Sequence, residues 1–252
     1  MEKRLTHIFG NWKLHMTMQE TEKFMQEFFA SVKKTSCVVG IAPPFTSITV
    51  ATKKAQGSQV YIGAQNMSEH LHGAYTGEVS PVMIKEAGAQ FVLIGHSERR
   101  LHFHENNRII RHKMRSALQE GLIPLLCIGE TQEEREHNIT KKVLTVQLNE
   151  ALQDLPKEDV KKILIAYEPV WAIGTGQTAT SKIAQETHHF CRSLLANSLG
   201  KAIAEKIPIL YGGSVRSENI AQLIIQPDID GVLVGGASLN VESFVKIINA
   251  AC

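Results

Sequence analysis

Short apolar runs rich in β-branched residues recur along the whole chain, and longer amphipathic segments separate them. Eight such runs stand at 6–11, 37–42, 61–64, 91–95, 123–128, 163–167, 209–212 and 231–235. A strand that is buried on both faces reads as a continuous apolar run, and alternation with helical patterns is the signature of a parallel sheet. The spacing is roughly 30 residues per strand and helix, which is what a βαβ unit requires, and eight units close naturally into a barrel. The predicted fold is therefore α/β, a (β/α)8 barrel formed as a single domain over 1–252. An open doubly wound sheet is the alternative.

Helix-start signals stand where the barrel needs them. Thr17 to Glu20 and Thr131 to Glu134 fit capping boxes, and Ser80-Pro81 fits an N-cap followed by proline in the first turn. From Phe24 to Phe29 and from Ile109 to Leu118 the apolar residues recur at three- and four-residue spacings, so each segment has one buried face. The open-sheet alternative calls for a glycine-rich phosphate turn after the first strand. That strand instead runs into Gly10-Asn11-Trp12-Lys13, and no Walker-type loop occurs.

Composition narrows the function. The net charge is +2, with no basic run interleaved with aromatics, so neither nucleic acid nor a membrane surface is an expected partner. No apolar run approaches a signal or spanning segment, which makes the cytoplasm the expected location. Cys37, Cys127, Cys191 and Cys252 are scattered with no CxxC pair, so buried thiols are expected, not a disulfide framework or a zinc site. His70 and His72, and His102 and His104, lack the acidic or cysteine partners of a metal site, and no metal is expected.

All strands of a parallel barrel open their C-terminal ends on one face, so distant residues converge there. That selects Asn11 and Lys13 after strand one, His96 and Glu98 after strand four, Glu168 after strand six, Ser214 after strand seven, and Gly235 and Gly236 after strand eight. Glu168 stands before Pro169, which holds the glutamate in extended backbone, and Gly174 and Gly176 loosen the far side of the loop. A carboxylate so placed fits a general base beneath a closing loop. Gly212-Gly213-Ser214 and Gly235-Gly236 fit a backbone cradle for a phosphate. Lys13 adds a point charge for a phosphate or an oxyanion, and His96 at a helix start can stay neutral and donate a hydrogen bond.

Read in order, Gly10-Asn11-Trp12-Lys13, Gly63-Ala64-Gln65-Asn66, Gly95-His96-Ser97-Glu98-Arg99, Cys127-Ile128-Gly129-Glu130, the run from Tyr167 to Gly176, Tyr211-Gly212-Gly213-Ser214-Val215 and Gly235-Gly236-Ala237-Ser238-Leu239 span the chain. Together they resemble the motifs of the triosephosphate isomerase family. The resemblance implies a TIM barrel that interconverts dihydroxyacetone phosphate and glyceraldehyde 3-phosphate without a cofactor. It implies Glu168 as base, neutral His96 and Asn11 as polarisers of the enediolate, Lys13 as electrostatic stabiliser and Glu98 as a supporting carboxylate. The pairing of a glutamate base with a neutral histidine is a known property of that family. The resemblance also implies a phosphate cradle from Gly174, Ser214, Gly235 and Gly236, beneath a closing loop over 169–177.

The same resemblance implies a homodimer in which the loop 65–80, with Thr76 near its tip, reaches a second subunit. Leu14-His15-Met16, Gln177 and Ser181-Lys182 depart from the commonest family pattern, and His15 falls where the neighbouring loop would dock. Two other readings stand beside the isomerase. An aldolase-like barrel would need a Schiff-base lysine at an inner strand end, where Lys13 is the one candidate. A non-catalytic sugar-phosphate-binding barrel would not need the base.

Overall fold

The computed structural model describes residues 4–172 and 179–252. Its strands are β1 (His7–Asn11), β2 (Val38–Ala42), β3 (Val60–Ala64), β4 (Phe91–Ile94), β5 (Ile123–Ile128), β6 (Leu164–Tyr167), β7 (Ile209–Tyr211) and β8 (Gly231–Val234). They pair in chain order, all parallel, and β8 returns to β1, with His7 opposite Gly231 and Gly10 opposite Val234. The sheet is a closed barrel, and the open-sheet alternative falls. Each predicted strand is present with ends shifted by at most one residue.

The helices are α1 (Met18–Ser31), α2 (Ile48–Ala55), α3 (Pro81–Glu86), α4 (Ser97–His102), α5 (Asn107–Gln119), α6 (Gln132–Glu136), α7 (Thr140–Leu152), α8 (Lys157–Val160), α9 (Ser181–Leu199), α10 (Lys201–Ala204), α11 (Ile220–Ile224) and α12 (Val241–Ala251). Both capping boxes form: Thr17 accepts from the Glu20 N–H, Thr131 from the Glu134 N–H, and each glutamate reaches back to its cap. Ser80 caps α3 and Pro81 fills its first turn. Among the described residues no helix is long and apolar enough to cross a membrane.

Strand periodicity divides the core in two. Ile8, Ile41, Ile62, Val92, Ile94, Leu126, Ile165, Ile209 and Val232 face outward and pack beneath the helices. The alternate positions Phe9, Ala42, Phe91, Leu93, Leu125, Cys127, Leu164, Ala166, Leu210 and Leu233 fill the barrel interior. Two large rings share that interior edge to face, Phe9 and Phe91, with centroids 4.7 Å apart. Gly63 makes room for one of them, since a Cβ there would lie 2.5 Å from the Phe91 ring.

One expectation fails at the seam. Cys37 and Cys252 form a disulfide, with Cα atoms 5.8 Å apart, while Cys127 and Cys191 are the buried free thiols expected. A sequence separation of 215 carries no information about proximity until barrel closure lays α12 against the start of β2. At the same end of the barrel, Asp230 accepts from Arg192 and Arg4 at 2.5 Å each, and from the Ile209 N–H at 2.9 Å.

His188 on α9 is fully buried, edge-on to the Tyr167 ring at 5.8 Å, and its Nδ1–H donates to the Asp228 carbonyl at 3.2 Å. Burial pushes its pKa down from 6.5 to about 4. The unfolded chain therefore binds a proton there between those values that the folded chain refuses. Stability from this group is intact above pH 6.5 and is lost as pH falls toward 4, on the order of 2–3 kcal/mol. We expect the Tm of the native chain to fall more steeply than that of His188→Gln over this window in thermal unfolding scans. Parallel profiles would remove His188 as the cause.

Candidate active site

The inward positions continue past the strand ends with the same period of two. On β6 the series Leu164, Ala166 leads to Glu168; on β8 Leu233 leads to Gly235; on β1 Phe9 leads to Asn11. These residues thus form the next layer above the packed interior, at the C-terminal mouth. They line a cavity of about 490 Å³ together with Lys13, His96, Gly212, Gly213, Ser214, Arg216 and Gly236. Every site residue expected from the sequence reaches this cavity except two. Glu98 stands at its edge through Lys13, and Gly174 lies outside the described residues.

Glu168 is 2 % exposed, and its carboxylate is held on both oxygens. Oε2 accepts the Ser97 N–H at 3.0 Å, and Oε1 lies 3.1 Å from His96 Nε2. His96 is the N-cap of α4, and its Nδ1 accepts the Glu98 N–H at 3.2 Å. A ring nitrogen that accepts a backbone N–H carries no proton, so the hydrogen-bond network assigns the proton to Nε2. The imidazole is then a neutral donor directed at Glu168 Oε1 on the cavity wall.

Asn11 and Lys13 are fixed by a local turn. The Asn11 Oδ1 accepts the Lys13 N–H at 3.0 Å, which leaves the amide NH2 free to donate to a ligand. Lys13 has φ of 53°, a left-handed conformation that costs a non-glycine residue roughly 1–2 kcal/mol. That turn carries the lysine stem over Gly235, where a Cβ would meet Lys13 Cε at 3.5 Å. The Lys13 ammonium bonds Glu98 Oε1 at 2.5 Å. Burial raises the Glu98 pKa, but the hydrogen bond and charge of Lys13 outweigh it and hold the carboxyl below its ordinary value.

Gly235 opens a short 3-10 turn, Gly236–Leu239, whose Ser238 donates N–H and Oγ–H to the Gly235 carbonyl at 2.8 and 2.7 Å. The Trp12 indole N–H donates to the Ser238 carbonyl at 3.1 Å and ties this turn to the end of β1. Across the mouth, the Asn219 amide donates to the Ser214 carbonyl at 3.0 Å. The two glycine-bearing loops and Lys13 thus line one cavity with Glu168.

Several contributors were given no catalytic role from the sequence. Cys127 sits beneath Glu168, and burial, together with the Glu168 charge, pushes its thiol well up. Arg100 donates to the carbonyls of Gly95 at 2.7 Å and Cys127 at 3.1 Å, which joins the ends of β4 and β5. Gly129 lies directly against the Glu168 backbone. Glu130, fully buried, accepts on Oε1 from Tyr167, Trp171 and Arg135 at 3.1, 3.0 and 3.3 Å. Tyr167 and Trp171 are therefore structural anchors for the turn Val170–Ala172 that follows the base. Their signal in the sequence was only adjacency to Glu168.

The sequence profile described as Triosephosphate isomerase matches residues 6–251. The chain belongs to the triosephosphate isomerase family. It is similar to the triosephosphate isomerase of Carboxydothermus hydrogenoformans, 48% identical over 98% of this chain and 99% of that one. It is also similar to those of Protochlamydia amoebophila, 48% identical over 96% and 92% of the two chains, and of Thermoanaerobacter sp. strain X514, 47% identical over 96% and 98%. Family membership fits the cavity, since a buried carboxylate, a neutral histidine donor and an amine on one wall are the groups an aldose–ketose isomerisation requires.

Proposed function

We propose that the chain is a triosephosphate isomerase that works with its own side chains. Glu168 removes a proton from the carbon beside the substrate carbonyl and returns it to the neighbouring carbon. His96 Nε2–H and the Asn11 amide hydrogen-bond the oxygens of the enediolate as charge develops on them. Lys13 stabilises that charge and the phosphate. Glu98 holds Lys13 in place, and the main-chain N–H groups of Ser214, Gly235 and Gly236 receive the phosphate, joined by Gly174 as the segment 169–177 closes and excludes water. The observation that carries this reading is the buried Glu168 carboxylate set 3.1 Å from His96 Nε2. A binding protein has no use for that pair.

The test is a coupled assay following each triose phosphate into the other. Turnover by the native chain supports the isomerase. A folded chain that binds a triose phosphate in calorimetry without turnover leaves the sugar-phosphate-binding reading in its place. An aldolase-like role is disfavoured because Lys13 is ion-paired with Glu98 at the rim.

A homodimer through the loop 65–80 and a cytoplasmic location complete the proposal. Residues 71–78 of the loop are exposed, yet the neck is closed by the Ser68 N–H to Val79 carbonyl bond at 2.8 Å. His70 and Tyr75 stack with centroids 3.8 Å apart, so the tip is already ordered for docking. Leu14 is 96 % exposed beside Lys13, and Tyr75, Val82, Met83, Leu101 and Phe103 are exposed too, more apolar surface than a solitary barrel needs. We expect sedimentation to give twice the 27.9 kDa chain mass, and Tyr75→Asp to shift it toward one chain. A single-chain mass for the native protein would refute the dimer. A dissociation constant unchanged between about pH 5 and pH 8 would remove the support for His15 tuning the dimer.

A further inference from the structure

The Cys37–Cys252 disulfide lies at the N-terminal end of β2, on the face of the barrel opposite Glu168. It links the residue after α12 to the start of the second strand. α12 covers the seam where β8 meets β1 and packs on α1 through the stacked rings of Phe28 and Phe244, 5.7 Å apart. The bond therefore fastens the last helix across the closure of the barrel and encloses 215 residues of chain.

The four cysteines fall into two kinds. Cys127 and Cys191 are fully buried, and burial pushes the Cys191 thiol up to about 12. Cys252 is exposed and Cys37 half-buried. Cys37 also borders an open groove of about 440 Å³ lined by hydroxyls and amides, among them Thr35, Ser36, Ser58, Gln59 and Gln90. A small hydrophilic thiol can enter such a groove and reach the sulfur. Disulfides in the reducing cytoplasm, the location proposed above, are as a rule transient and redox-responsive.

We propose that Cys37–Cys252 is a reversible redox staple that sets the stability of the barrel while leaving its catalytic face untouched. A low-molecular-weight thiolate attacks Cys37 Sγ, the protein disulfide breaks, and Cys252 leaves as thiolate and takes a proton. A second thiolate attacks the mixed disulfide, freeing Cys37 and yielding the small-molecule disulfide. Overall two electrons and two protons pass from two small thiols to the protein, and a small-molecule disulfide drives the reverse. Opening the staple frees the unfolded chain from a very long closed loop, and the folded core keeps its contacts.

The experiment equilibrates the full native chain with reduced and oxidised glutathione at graded ratios. At each ratio it counts alkylatable thiols by mass and measures Tm at one protein concentration. The oxidised chain is expected to yield two alkylated cysteines after denaturation, Cys127 and Cys191, and the reduced chain four. Tm is expected to fall by about 5–10 °C on reduction, with kcat/KM at 25 °C changed less than about twofold. Cys252→Ser should keep the Tm of the reduced chain at every ratio. Equal Tm in the two forms, four alkylated cysteines under oxidant, or a large change in kcat/KM would each overturn the proposal. Thiol counts and Tm are readable even in a chain without isomerase activity, so failure of the functional reading is told apart from failure of this one.

Discussion

Glu168→Gln lowers kcat for triose phosphate interconversion by about 10²-fold or more, with little change in KM. Glutamine keeps the size of the side chain and one carbonyl oxygen, so it can still accept the Ser97 N–H that Glu168 Oε2 accepts at 3.0 Å. It cannot take a proton from carbon. The loss corresponds to roughly 2.7 kcal/mol of transition-state stabilisation at the least. Asn11, Lys13 and His96 remain in the variant to bind and polarise the substrate, which is why the effect is expected in kcat. The coupled assay on both proteins measures it, and a variant retaining more than about a tenth of native kcat would remove Glu168 from the role of base.

The second large effect comes from a residue that never meets the substrate. In Gly129→Ala the new Cβ would lie 1.8 Å from the Glu168 carbonyl oxygen and 2.7 Å from its carbon. Both partners are backbone, and neither can swing aside. Gly129 is itself pinned, its N–H donating to Gln147 Oε1 at 2.8 Å and its carbonyl accepting from Gln147 Nε2 at 3.1 Å. The Glu168 N–H in turn donates to the Ile128 carbonyl at 2.7 Å. Relief requires the ends of β5 and β6 to separate. We expect a stability loss of about 2–4 kcal/mol and, in the folded fraction, a fall in kcat of about 10–100-fold as the carboxylate is displaced. Thermal unfolding and kinetics on the same sample check both, and native values for both would show that the strand ends yield freely.

The strands were legible because a parallel sheet covered on both faces leaves little choice of residue. β4 is Phe-Val-Leu-Ile and β6 Leu-Ile-Ala-Tyr, every position buried. Helix starts were legible because a cap is a contact over three residues, as at Thr17, Ser80 and Thr131. Asn11, His96, Glu168 and Gly235 were legible for a related reason. Parallel strands all present their C-terminal ends on one face, so position relative to a strand end places a residue at the mouth.

Strand and helix placement, caps, and the strand ends at which chemistry collects are local properties that the amino-acid order carries. The folded barrel set which oxygen of Glu168 faces His96, which nitrogen of His96 accepts the Glu98 N–H, and that Gly129 abuts the Glu168 carbonyl. It alone brought Cys252 to Cys37 and set Arg4 and Arg192 on Asp230. The physical reason is range. Periodicity and capping act over a few residues, whereas those contacts exist only after strands far apart in the chain have paired, β5 with β6 and β8 with β1 among them, and no local pattern encodes that register.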